Sequence, residues 1–216
     1  MNQRINVNEE FDKYIKANEG QIKLLLHSCC APCSSYCLFY TAQYLPVTVF
    51  YYNPNISEAS EYDLRAHEQI RLIDCFNKEG KCKYPIEYII SDHRPVDFNG
   101  KVVGYEDCPE RGARCSICFD IRLRETAKVA KENGFDAFAT TLTLSPLKNA
   151  SLLNETGLRI ESEEGIKYLP TDFKKKNGYK TSIELSKEYN LYRQDFCGCI
   201  FSKIQREREK DNGKIS

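Results

Sequence analysis

From residue 22 onward, short apolar runs alternate with longer amphipathic stretches. "IKLLLH" (22–27) is short, continuous and apolar, which predicts a buried strand. "VTVFYYN" (47–53) is β-branched and aromatic and predicts a second. "IEYIIS" (86–91), "DAFATTLT" (136–143) and "GIKYLP" (165–170) add a third, a fourth and a short fifth. Between the strands, apolar residues recur at three- and four-residue spacing. Tyr62, Ala66, Ile70 and Ile73 predict one stripe on a helix over 57–79. Phe119, Leu123, Ala127 and Ala130 predict another over 115–133, stopped by Gly134. Further helices are predicted over 1–20, over 31–44 with Pro32 in the first turn, over 149–163, over 179–190, and from Gly198 into the tail.

Strands that alternate with helices imply an α/β fold, a mainly parallel sheet flanked by helices. Such sheets bind ligands beyond the carboxyl ends of their strands. The stretch 92–113 has no such pattern, and a loop that long in a compact domain is often functional. Residues 205–216 (QREREKDNGKIS) are charged and predict a solvated, fraying tail. No internal repeat or linker divides the chain, so a single α/β domain over 1–216 is expected.

Composition narrows the classes. A chain of 216 residues can bury a substantial core. Lys+Arg and Asp+Glu both number 31, so net charge neither predicts nor excludes a nucleic-acid partner. The start, "MNQRINVNEEFDKY", is polar and lacks a signal peptide's apolar core, and no apolar run approaches a membrane span. A cytoplasmic protein without a membrane partner is expected. Eleven cysteines then need an explanation. Disulfides rarely persist in a reducing cytoplasm, and an odd count argues against a full disulfide framework.

The cysteines cluster. "HSCCAPCSSYC" holds Cys29, Cys30, Cys33 and Cys37, directly after the first strand. "CSIC" holds Cys115 and Cys118, with Cys108 seven residues earlier, and "CGC" holds Cys197 and Cys199. Cys115 and Cys118 are three apart at a predicted helix start, so they share a face. Helix N-termini favour the thiolate, the form that binds metals. Gly198 lets the backbone between Cys197 and Cys199 approach a bulky group. Cys37, one turn past Cys33, faces the core; Cys75 and Cys82 lie apart as ordinary buried thiols. Zinc would use four thiolates and leave several spare. An iron–sulfur cluster also takes four, and three more could hold a second metal. A redox pair, Cys30 and Cys33 in "CAPC", is a third reading that leaves "CSIC" and "CGC" unexplained. The loop after the first strand lies where a nucleotide-binding protein puts glycines, and it has none, which argues against ATP there.

Taken in order, "LLLHSCCAPCSS", "YYNPNI" with "EYDLR", "RCSICFDIRLRETA", "TTLTLSPLKN" and "TDFKKKNGYKTSIELSKEYNLYRQDFCGC" resemble the QueH family of epoxyqueuosine reductases over residues 22–202. The resemblance implies a Rossmann-like (HUP/PP-loop-like) fold with a cysteine-rich metal site at the carboxyl ends of the strands. It implies the last step of queuosine synthesis, loss of the epoxide oxygen from epoxyqueuosine at the tRNA wobble position. It also implies a [4Fe–4S] cluster beside a mononuclear metal, expected to be iron. The family's ligand motifs map onto Cys29, Cys30, Cys33, Cys115, Cys118, Cys197 and Cys199. Which ligand serves which centre stays open, although relatives carry Asp where this chain has Cys33, which points Cys33 to the mononuclear site. The family pattern has His at the position of Leu147, so that position is not an essential ligand.

Converting an epoxide to an alkene needs two electrons and two protons. A cubane passes single electrons, and a Lewis-acidic metal beside it weakens the C–O bonds. The outside electron donor is not identified. His27, Asp107 and Glu110 are the candidate proton sources, and His27 is also a candidate structural histidine. Arg111 and Arg114 are expected to grip phosphate or the modified base, and Asn53 to face the ligand from the end of the second strand. Lys174, Lys175, Lys176, Lys148, Lys180 and Arg193 are expected to follow an RNA backbone, with Tyr179 and Tyr192 for stacking. The rival from another class is a zinc-stabilised tRNA-binding module without catalysis.

Overall fold

In a computed structural model describing residues 6–211 and 213, five strands pair in the order β3-β2-β1-β4-β5, every pair parallel. Along the chain come α1 (Val7–Ala17), β1 (Leu24–Ser28), α2 (Ala31–Thr41), β2 (Val47–Tyr51), α3 (Ala59–Glu79) and β3 (Ile86–Ile90). They are followed by a short α4 (Val96–Asn99), α5 (Ala113–Glu132), β4 (Ala137–Thr140), α6 (Ala150–Glu164), β5 (Lys167–Tyr168), α7 (Gly178–Glu188) and α8 (Ile200–Asp211). No described helix is long and apolar enough to cross a membrane.

The central strand shows why the pattern reads as it does. Alternate residues of a strand face opposite sides. Leu24 and Leu26 enter one core with Val47, Val49, Leu38 and Leu185; Leu25 enters the other with Phe50, Leu123, Phe138 and Leu153. Helices cover both faces, so β1 is buried along its whole length. Each such leucine contributes roughly 1.5–3 kcal/mol through burial.

Strand order also places the site. The chain builds outward from β1 through β2 to β3, then returns to add β4 and β5 on the other side. Connections after β1 and β4 therefore diverge, and a crevice opens between their carboxyl ends. The β1 connection carries Cys29 and Cys30, and the β4 connection leads to Lys148.

Several elements depart from expectation. The fourth strand stops at Thr140, because the Thr140 hydroxyl accepts a hydrogen bond from the Leu142 amide and turns the chain into a buried 3-10 turn, Thr141–Leu144. The α3 stripe includes two polar side chains. Arg65 and Gln69 are buried, while Ile70 is half-buried. Gln69 Oε1 accepts from the hydroxyls of Ser28 (2.7 Å) and Ser34 (2.8 Å), fastening the end of β1 to the start of α2. The unpatterned stretch 92–113 contains α4, whose Phe98 is buried. Of the helix expected over 1–20, residues 1–5 lie outside the described residues; the rest docks through Phe11 and Ile15. The tail is not a fraying end as far as Asp211, because α8 runs to that residue. Gln205 Oε1 accepts from the Glu110 amide at 3.3 Å, and Lys210 pairs with Asp195 at 2.6 Å. Residues 212 and 214–216 lie outside the described residues.

Candidate metal centre

Three helices begin beside this crevice, and each start carries cysteines. Cys30 caps α2 and Cys33 lies in its first turn; Cys115 and Cys118 lie in the first two turns of α5; Cys197 and Cys199 lead into α8. Local bonds seat the last pair. The Cys197 amide donates to Ser202 Oγ (3.1 Å) and the Ser202 amide points at Cys199 Sγ (3.4 Å). Gly198 between them has φ +106°, a left-handed backbone that disfavours other residues. A Cβ there would stand 2.8 Å from Ile56 and 3.3 Å from the Arg65 guanidinium. Arg65 holds the same loop through the carbonyl of Cys197 (3.3 Å) and the ring of Phe196, and is itself paired with Glu61 at 2.6 Å.

The thiols fall into two arrangements. Cys29, Cys30 and Cys33 converge, their sulfurs all within 4.8 Å of one another, the only group of three or more potential ligands this tight among the described residues. Cys29 and Cys30 Sγ stand 3.6 Å apart, so the adjacent cysteines are not a disulfide. Cys115, Cys118, Cys197 and Cys199 instead line a small cavity of about 30 Å³, with Asn55, Arg111 and Arg114 on its wall. They do not meet at one point. Asn55 is buried, and its Oδ1 has no hydrogen-bond partner.

Charge is distributed unevenly. Hydrogen bonds from Cys30 and Cys33, with Arg122 and Lys148 nearby, pull the Cys29 thiol well below its usual range. The same sharing pushes Cys30 and Cys33 up. Burial pushes Cys115 up, Cys118 up to about 11 and Cys199 up to about 12. The expected preference of helix N-termini for thiolates is therefore overridden by desolvation at Cys115, Cys118 and Cys199 and by hydrogen-bond sharing with Cys29 at Cys30 and Cys33. A metal would have to displace the protons from the others as it bound. All seven donors are soft thiols, a set that suits iron–sulfur clusters and zinc and not magnesium or calcium.

Two cations sit among them. Lys148 Nζ is 3.4 Å from Cys197 Sγ. Burial opposes its charge, but Cys197 and Cys29 outweigh burial and hold the ammonium. Arg122, on the α5 face one turn past Cys118, donates to Asn53 Oδ1 at 2.5 Å. Sequence reasoning missed Arg122 and Arg65. The available signal was an arginine in register with an apolar stripe, which a helix buries.

The structure separates the other expected site residues. A second cavity of about 280 Å³ opens beside Cys29 and Cys33, and Glu110, Lys148, Tyr179, Arg193 and Gln194 line it. Asp107 is exposed and lines neither cavity. His27 is fully buried; Nδ1 meets the Thr140 hydroxyl and Nε2 the Tyr52 carbonyl, and burial, reinforced by Arg122, lowers it to about 3. It is a neutral brace and no proton source at neutral pH. Asn53 and Arg114, expected to touch substrate, are buried instead. Asn53 donates to the Ser28 carbonyl (2.9 Å), and Arg114 donates to the carbonyls of Tyr105 and Glu106 and lies over Phe201. Arg111 is exposed with φ +74°, which aims its amide at Cys115 Sγ, 3.3 Å away. Lys174 pairs with Asp172 and Lys176 with Asp12, so acids partly neutralise that basic run, and Lys174 lines neither cavity.

A family model described as epoxyqueuosine reductase QueH matches residues 24–205. Curated relatives named epoxyqueuosine reductase QueH come from Staphylococcus epidermidis (42% identical over 210 residues, 95% of this chain and 87% of the relative) and Streptococcus pyogenes serotype M1 (41% over 204, 93% and 79%). Another, from Staphylococcus aureus, is 41% identical over 210 residues, 95% of this chain and 87% of the relative.

Proposed function

This chain belongs to the epoxyqueuosine reductase QueH family, and from that membership we propose that it reduces epoxyqueuosine at the tRNA wobble position to queuosine. The balance is two electrons and two protons in, one epoxide oxygen out as water, and an alkene left behind. The observation that carries the reading is the juxtaposition of two thiol sets with one open cavity. We assign Cys29, Cys30 and Cys33 to a mononuclear ion, because their sulfurs converge. We assign Cys115, Cys118, Cys197 and Cys199 to a [4Fe–4S] cluster, because such a cluster takes four thiolates on separate irons and these four line one cavity without converging on a point. When bound, the cluster supplies single electrons and the ion, expected to be iron, supplies a Lewis acid.

The chain's own residues do the rest. The cavity of about 280 Å³ is near the lower end of ligand-pocket sizes, enough for the cyclopentane end of a modified base and too small for folded RNA. The wobble nucleotide must therefore be splayed out of the anticodon loop to enter. Tyr179, which is exposed, offers it a stacking face, and Arg193 a phosphate contact at the rim. Lys148 donates hydrogen bonds toward the oxygen that leaves, from a position beside Cys197. Glu110 lines both cavities and is placed to relay a proton from solvent. Electrons come from a donor outside the chain.

Anaerobic purification followed by iron, sulfide and zinc analysis tests the reading. A brown protein with iron and sulfide that converts epoxyqueuosine to queuosine in digested tRNA is expected. A colourless protein holding stoichiometric zinc, without turnover, would replace the enzyme with a tRNA-binding module.

A further inference from the structure

Only 1% of Arg122 is exposed. A guanidinium stripped of water that completely is costly unless an anion faces it. Arg65, equally deep, has Glu61. Arg122 has no carboxylate partner among the described residues. Its Nη2 donates to Asn53, its Nε faces His27 Nε2 at 3.3 Å, and its Nη1 faces Cys118 Sγ at 3.8 Å. Asn53 is tied to Ser28, and His27 to Thr140 through Nδ1, which leaves Nε2 to accept from Arg122, so the fork is braced against swinging toward another anion. The thiols beside it are Cys118, at its Nη1, and Cys29 and Cys197, which line the same cavity; each adds a negative charge facing the guanidinium once it becomes a thiolate. Cys29 belongs to the converging set; Cys118 and Cys197 belong to the other.

We propose that Arg122 is a counter-charge shared by the two metal centres, a positioning residue that sets how readily they accept an electron. The inference rests on the function proposed above. Three thiolates around a divalent ion, like four around a cubane, leave the centre net anionic. A fixed positive charge beside it favours the state with one more electron and raises the reduction potential. Asn53 and His27 then have a shared purpose, which is to aim the guanidinium. Lys148 adds a second positive charge from the opposite connection; both side chains line the larger cavity, but Lys148 is half-buried, whereas Arg122 is almost wholly withdrawn from water and braced.

Arg122→Gln and Arg122→Lys, purified anaerobically beside the parent, test this through metal content and the midpoint potential followed by absorbance and EPR. With iron and sulfide equal to the parent, Arg122→Gln should lower the reduced-to-oxidised ratio at the parent's midpoint about tenfold, which is 59 mV for one electron. Arg122→Lys keeps the charge and should stay within about threefold. A fully loaded Arg122→Gln protein with an unmoved midpoint overturns the proposal. So does a Lys variant shifted as far as the Gln variant, since the role would then be structural. If Arg122→Gln does not fold, the Lys variant decides by the same limits: within about threefold it supports the counter-charge, and beyond that it overturns it. A parent that binds zinc and no iron defeats the functional reading and leaves the counter-charge testable by heat. Arg122→Gln should then lower the Tm of the zinc-loaded protein more than that of the chelator-stripped protein; equal lowering overturns it.

Discussion

The two thiol sets differ in how their chain segments arrive. Cys29, Cys30 and Cys33 come from one strand end and the helix that follows, so their convergence is local. Cys115 and Cys118 come from α5 and Cys197 and Cys199 from the start of α8, about eighty residues later, so that set exists only if the C-terminal loop docks. The difference teaches that one thiol set is assembled by a helix start while the other depends on long-range anchors. Arg65, Ser202 and the left-handed Gly198 are those anchors.

The largest effects should come from cutting each set separately. Cys118→Ala should abolish sulfide-linked absorbance and reduce queuosine formation to background. Cys33→Ala should lose one metal equivalent and turnover while most sulfide and colour remain. If both variants lose all metal alike, measured as iron and sulfide per chain, the two sets are one centre and the comparison breaks.

Removing an anchor should injure only the long-range set. Arg65→Met removes the cation from Glu61, leaving it the Tyr192 hydroxyl, and frees the Cys197 carbonyl, at a cost of roughly 3–5 kcal/mol. The denaturation midpoint should fall accordingly, and sulfide should fall more than the triad's single metal. Gly198→Ala should act in the same direction more weakly. Its left-handed φ costs on the order of 1–3 kcal/mol, and the new Cβ presses on Ile56. Thermal melting with iron analysis reads both changes, and an Ala variant that melts and loads like the parent would refute the anchor.

A spare cysteine should behave differently from either set. Cys82 lies against the core beside the Leu38 carbonyl, and burial pushes it up to about 11 from 9.0. Its folded form resists ionisation longer than its unfolded form. Its contribution is therefore complete below pH 9 and is lost as pH rises from 9 to about 11. Cys82→Ala should flatten that part of the Tm decline slightly and leave metal content unchanged. A variant that lost metal would make Cys82 a ligand.

Much of this was legible locally. Short apolar and β-branched runs identified the five strands, three- and four-residue apolar spacing identified the long helices, and spacing along the chain singled out three cysteine clusters. The misses share a cause. Strand β4 ended early through a side-chain bond at Thr140 that no hydropathy pattern encodes. Asn53 and Arg114 looked available because polar residues at strand ends and loops usually are, yet each is enclosed by elements far away in sequence; of the two readings of His27, its burial fits the structural one. Lys176 read as a free basic residue, but its partner Asp12 lies 164 residues away.

By itself, then, the sequence determined the alternation of strands and helices and the placing of clusters of soft thiol side chains at helix starts. These are properties of neighbours along the chain, within reach of one turn or one strand. Tertiary structure decided which thiols meet, that burial or a hydrogen bond shared with Cys29 resists ionisation at five of them, and that Arg122 faces sulfur and not carboxylate. Those outcomes depend on strand order and burial, because electrostatic partners are chosen by distance in space once water is gone.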